Sequence, residues 1–234
     1  MIAIFKRELR SYFNSPVGYV CIAVLAALYG LFYYQVMAMG SSSYIGRVYS
    51  TMFSYSMMVI PIITMRSMSD DQKNKTDQVL LTAPIGVTSI VLGKFLSCFF
   101  VFFVASSMGL LPAVAMSFFS SPAWGEIIGN YLGTLLYGGA MISIGVFISS
   151  LTVSQVIAAI GTFVISVLLM LIDSMASAVS NQVVSALVGW ISFNSRYTTF
   201  TQGIFSISST VFFLSVMAVF VFLTARRLES RRWN

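Results

Sequence analysis

Few side chains in this sequence could carry covalent chemistry, and their spacing narrows the choice further. There is no histidine, which removes the commonest general base and metal ligand. The two cysteines, Cys21 and Cys98, lie inside apolar runs and fit neither a disulfide framework nor a CxxC metal site. They read as small buried or lipid-facing side chains. Fourteen methionines could suggest soft-metal transport. Most are dispersed, however, and the MxxM pair Met65 and Met68 encloses Arg66, whose charge repels a cation. Gly86, Gly93 and Lys94 lack both the GxxxxGK spacing and the following hydroxyl of a phosphate loop. No catalytic constellation is visible, so the chain is not expected to be an enzyme or to hold a cofactor or metal of its own.

The densest chemistry is ionic. Arg66, Asp70, Asp71, Lys73, Lys75 and Asp77 fall within twelve residues. They open the most polar stretch of the chain, Arg66 to Thr88, which reads as a solvent loop with a helical turn at Gln78–Thr82 before Pro84. Two roles remain open for it: a solvated loop that fixes topology, or a docking surface for a partner.

The elements that hold these charges are apolar. Of 234 residues, 58% are hydrophobic and 9% charged, against about 25% charged in soluble domains. So few charges cannot cover a water-facing surface, so the surface must meet lipid. The net charge of +6 does not point to nucleic acid, because the basic residues sit at the ends of apolar runs. The N-terminal run is too long for the apolar core of a signal peptide and lacks a cleavage site, so Met1 is taken as the mature start.

A span needs about 20 mostly apolar residues. The uncharged runs predict six spans, at about 17–39, 48–65, 90–119, 127–148, 156–172 and 209–225. Between Glu126 and Asp173 lie 46 uncharged residues. They divide best at the polar knot Ser149–Gln155. Lys94, at the mouth of span three, is expected to snorkel to the inner surface, and Asp173 to mark the outer end of span five. Before the spans, Ile2, Phe5, Leu9, Tyr12 and Phe13 recur at helical spacing, while Lys6, Arg7, Glu8 and Arg10 fill most of the remaining arc. This is a basic amphipathic helix suited to the headgroup layer and its anionic lipids. Between residues 173 and 208, Met175, Val179, Val183, Leu187 and Ile191 recur every four residues, which predicts an amphipathic helix at the outer interface.

The fold class is therefore all-α and polytopic, with an N-terminal interfacial helix and an outer amphipathic or re-entrant region, in a single transmembrane domain over residues 1–234. Six spans with both ends inside place eleven of the lysines and arginines in the cytoplasm and only Arg47 and Arg196 outside, as the positive-inside rule requires. A seventh span would spoil that asymmetry. Gly125, Gly129 and Gly133 form a GxxxGxxxG pattern. It suits close helix packing, either within the bundle or between two copies.

The order of these parts resembles the ABC-2 class of ABC-transporter permeases, within it the gliding-motility-type (GldF-like) permeases, over essentially the whole chain. FKRELRSYFNSPVGYV is similar to the family's interfacial helix and entry to span one. MRSMSDDQKNKTDQVLLTAPIGVTSIVLGKF resembles its cytoplasmic signature, with Arg66, Asp70 or Asp71, Thr76, Leu80, Leu81, Pro84, Gly93 and Lys94 in the signature places. RYTTFTQGIFSIS and ARRLESRRW resemble its outer re-entrant region and basic tail. Two departures stand out: the usual glutamate is Asp70 or Asp71, and the usual glycine before Thr76 is Lys75.

The resemblance implies a permease subunit in the bacterial cytoplasmic membrane. It would pair with a second permease copy or homologue and with two ABC ATPase subunits that bind ATP and magnesium. An extracytoplasmic accessory protein is a further candidate partner. In that family the N-terminal helix (here Phe5, Lys6, Arg7, Glu8 and Arg10) and the loop after span two contact the ATPase. Transport, outward in direction, would follow by alternating access. The competing classes are a non-ABC channel or assembly scaffold, and an ABC complex that transmits force or a signal to envelope partners. A channel should show charged or polar rings within its spans, and these spans carry serine and threonine but almost no charge. The uncharged spans favour an amphiphilic cargo.

Overall fold

The computed structural model describes residues 1–39, 45–82, 85–118, 122–178, 192–203 and 205–233. Among them every regular element is a helix and none is a strand. Six of the helices are long and apolar enough to cross a membrane: Pro16–Ala38, Ile45–Lys73, Val87–Met116, Trp124–Leu151, Gln155–Ile172 and Ile207–Arg231. The molecule is an all-helical, multi-pass membrane protein. With no water in the hydrocarbon to satisfy backbone groups, apolar runs of this length have to close their hydrogen bonds internally.

Helix α1 (Ile2–Asn14) ends at Ser15, whose extended backbone still donates its N–H to the Ser11 carbonyl. Pro16 then opens α2 (Pro16–Met39), where its missing N–H costs nothing. The turn is tight: a Cβ on Gly18 would lie 2.7 Å from the Tyr12 carbonyl oxygen. Helix α3 (Ile45–Thr64) starts earlier than the sequence suggested and takes Arg47 into its first turn. Pro61 does not end it, because Met65 N–H still reaches the Pro61 carbonyl at 2.9 Å.

The stretch after α3 differs from the solvent loop expected of Arg66–Thr88. It forms α4 (Arg66–Lys73) and α5 (Thr76–Thr82), and Ser67, Met68 and Ser69 of α4 are buried. The cause lies in the polar knot. Helix α8 (Trp124–Leu151) ends beside the α3–α4 junction. There the Ser149 hydroxyl accepts the Met68 and Ser69 amides, each at 3.1 Å, and donates to the Met65 carbonyl at 3.1 Å. It satisfies amide donors that the first turn of a helix would otherwise leave open. Gln72 adds a bond to the Ser150 carbonyl at 3.0 Å.

Span three breaks into α6 (Val87–Ser107) and α7 (Leu110–Met116). At the break Gly109 accommodates the Tyr29 ring, which a Cβ would approach to 2.8 Å. The remaining helices are α9 (Gln155–Ala178), α10 (Phe193–Thr201) and α11 (Ile207–Trp233). Helix α11 carries the basic tail as a helical extension. The outer amphipathic helix expected between 173 and 208 falls largely on residues 179–191, outside the described residues.

Helix α8 is the axis of the bundle, packed against α3, α6, α9, α10 and α11. Small residues let the neighbours close on it. Gly145 meets Thr64 of α3, Gly138 receives the Phe102 ring of α6, and Gly139 receives Met217 of α11. A Cβ at Gly138 would fall inside the space that the Phe102 ring occupies. The variant Gly138→Val is therefore expected to destabilise the bundle by about 3 kcal/mol, the upper range for overpacking. The check is its thermal midpoint and yield of monodisperse protein in detergent.

At the other end of α8, α10 is plugged into the bundle by Phe193, Tyr197 and Phe200, all buried. Tyr197 stacks on Phe53 with ring centroids 4.9 Å apart, and its hydroxyl meets Thr134 at 3.0 Å and the Tyr49 carbonyl at 3.3 Å. Gly133 closes on Phe200, which a Cβ there would approach to 2.8 Å, whereas Gly125 and Gly129 meet no neighbour within 4 Å among the described residues. Among the described residues, only the last glycine of the GxxxGxxxG pattern serves packing inside the chain.

Candidate functional site: a buried ion-pair hub

The helices converge at the end of the bundle that holds α1, α4 and the start of α6. The apolar face of α1 lies along α6, with Ile4 against Gly93, where a Cβ would sit 3.0 Å from the isoleucine Cγ2. The Tyr12 hydroxyl donates to the Ile63 carbonyl at 2.7 Å and ties α1 to the end of α3. This close fit brings Glu8 of α1, Asp71 of α4 and Lys94 of α6 together.

Lys94 is the centre. Its side chain is only 2% exposed, so it does not snorkel to the surface as the sequence suggested. Its ammonium instead meets Asp71 Oδ2 at 2.5 Å, Glu8 Oε1 at 3.3 Å and the Ser67 carbonyl. An ammonium has three N–H donors and no acceptor, and each donor has a partner here. A buried charge is tolerated only when paired and hydrogen-bonded in this way.

Arg7 closes the cluster from the solvent side, 2.5 Å from Glu8 and 3.2 Å from Asp71. Burial works against its charge, but the hydrogen bond and charge of Glu8, with Asp71 behind them, outweigh that penalty and hold the guanidinium above its ordinary value. Thr76, at the start of α5, donates to Asp71 Oδ1 at 2.7 Å. Arg66 reaches Ser15 at 2.7 Å and Asp70 at 3.4 Å, and Asp70 also accepts from Gln155 of α9 at 2.7 Å. The lining of the resulting cleft, about 260 Å³, balances Arg7, Arg66 and Lys94 against Glu8, Asp70 and Asp71. Arg231 near the end of α11 lies 3.9 Å from Asp77 of α5, so both ends of the chain meet this segment.

Most of the residues singled out from the sequence are brought together, though not all. Arg7, Glu8, Arg66, Asp70, Asp71 and Thr76 share the cluster. Phe5 faces away from it and meets Phe100 edge-on at 6.0 Å. Lys6 and Arg10 are exposed and form no ion pair among the described residues. Leu80 packs on the chain's own core. Leu81 lies within α5, and Pro84 lies outside the described residues. Gly125, Gly129 and Gly133 are on the first half of α8, away from the hub. Sequence reasoning missed Lys94 as the hub, and it missed Ser149 and Gln155 as its supports. The available signal was a lone cation inside an otherwise uncharged helix.

A family model described as ABC-2 family transporter protein matches residues 2–231. This chain belongs to the ABC-2 transporter family. The match runs from helix α1 into the helical tail, so it takes in the hub as well as the spans. As an ABC-2 transporter protein the chain is a permease subunit of an ABC transporter, a membrane subunit rather than a catalytic one. Membership also implies association with an ABC ATPase. No curated protein matches the chain.

Proposed function

We propose that this permease couples ATP hydrolysis in two partner ATPase subunits to outward movement of an amphiphilic substrate, and that α4 and α5 form the coupling segment. The observation that carries this reading is Lys94 bridging Glu8 of α1 to Asp71 of α4. A push on the exposed turn between α4 and α5 would reach α6 and α8 through ion pairs and the Ser149 contacts rather than dissipate in a flexible loop. The asymmetry of eleven cations to two supports this end of the bundle as the cytoplasmic one, in a bacterial inner membrane with both termini inside. Gly125 and Gly129, which meet no neighbour among the described residues, suit contact with a second permease copy. The resemblance of the Arg66–Lys94 segment to the GldF-like permeases supports a place in that subgroup. ATP binding would drive the change only through contacts that differ between the closed and open ATPase states.

The test is purification in mild detergent. Wild-type permease is expected to bring an ATP-binding chain with it. Lys73 and Lys75 are exposed on the α4–α5 turn, and Lys73→Glu with Lys75→Glu leaves the bundle untouched. This pair is expected to weaken the association about tenfold in Kd, roughly 1.4 kcal/mol, measured by titration of the ATPase onto immobilised permease. An unchanged Kd would remove the α4–α5 turn from the docking surface.

A further inference from the structure

Helix α1 has a second face that the hub does not use. Glu8 and Tyr12 turn toward the bundle, but Ile2 and Phe5 lie on the flank beside α6. With Leu96, Phe99, Phe100 and Phe103 they line an apolar groove of about 270 Å³ that opens outward. Ile2 is 66% exposed. Further round the same helical arc, at about 100° per residue, come Lys6 and then Arg10. Both are exposed and form no ion pair among the described residues, in contrast to Arg7, which the hub engages.

We propose that this groove is a binding site for one anionic membrane phospholipid, its acyl chain along α6 between Phe5 and Phe103 and its headgroup phosphate over Lys6 and Arg10. Three features favour a lipid over a peptide or a second copy of the chain. The groove is lined by apolar side chains of α6, a membrane-crossing helix, and of Met1 and the amphipathic helix α1 at its entry. Its exposed lining is almost wholly apolar, which leaves a peptide few polar groups to orient against. The unpaired cations lie on one flank only, which matches a ligand with one charged end and one apolar end. A lipid held here would brace α1 against α6 from the membrane side, opposite the hub. The site does not depend on the coupling reading.

The test uses the full chain in mild detergent, offered an equimolar mixture of phosphatidylglycerol and phosphatidylcholine with identical acyl chains, and read by native mass spectrometry. One retained phosphatidylglycerol per chain is expected, preferred about tenfold over phosphatidylcholine, from the attraction of two cations near an anionic surface. Lys6→Gln with Arg10→Gln should abolish the headgroup preference while leaving the thermal midpoint unchanged. Ile2→Glu places a charge in the groove without touching the bundle core and should abolish retention of both lipids. The proposal is overturned by no retained lipid, by equal retention of the two headgroups in the wild type, or by variants that retain phosphatidylglycerol as the wild type does.

Discussion

Lys94→Met lowers the stability of the permease by about 3 kcal/mol, the lower range for breaking one partner out of a buried ion pair. That is the expected result, and it follows from what the substitution leaves behind. Methionine fills the space of the aliphatic stem but brings no charge. Glu8 and Asp71, 13% and 16% exposed, then face one another with only Arg7 between them. Arg7 touches both, which is why the lower end of the range applies. The measurement is the thermal midpoint in detergent, compared with the triple variant Lys94→Met, Glu8→Gln, Asp71→Asn. Removing the two stranded charges should restore most of the loss. A packing defect at position 94 would not respond to changes at 8 and 71, so failure of the rescue assigns the loss to packing and dismantles the hub.

The second large effect is on coupling. Asp71→Lys puts a third cation against Lys94 and Arg7 and removes the acceptor that Thr76 uses. Like charges in a cleft largely screened from water repel strongly, so α4 is expected to part from α1 and α6. Membrane insertion should persist, because apolar runs and flanking charges decide it. On the proposed reading, stimulation of the ATPase in liposomes falls to the level of the ATPase alone. Asp71→Asn keeps an acceptor for Thr76 and adds no charge, and it should fall between this variant and the wild type. Combining Asp71→Lys with Lys94→Asp reverses the pair, and partial recovery would measure its coupling energy in a double-mutant cycle. Full stimulation by Asp71→Lys would mean that the hub holds the fold together without transmitting anything.

The spans were legible because lipid leaves the chain so little freedom. Uncharged runs of the right length had to become helices, and the polar knot at Ser149–Gln155 had to be the turn between α8 and α9, since no other stretch in the 46 residues gathers as many polar groups. Helix α1 was legible from its periodicity. The helical character of Arg66–Lys73 was not. Its composition is that of a loop, and what makes it a helix is a hydroxyl 81 residues further on. Lys94 misled for a related reason. A cation near the end of a span usually reaches for water, and nothing in the sequence says that the face of α6 carrying it meets α1. Tyr197 shows the same limit at the far end, where its partners Phe53, Thr134 and Tyr49 come from two distant helices. The glycine pattern was regular as a string yet divided in space, with Gly133 under Phe200 and the other two without a neighbour among the described residues.

The Ser149 hydroxyl bears on which sequences this fold can tolerate. A hydroxyl has one hydrogen to give and two lone pairs to receive with, and at this position all three are spent: one on the Met65 carbonyl and two on the amides of Met68 and Ser69. Alanine and glycine offer none of these, and a thiol offers only weak ones. Neutral drift at position 149 is thus confined to residues that keep an oxygen on Cβ, a narrower alphabet than its place at the serine-rich end of α8 would suggest.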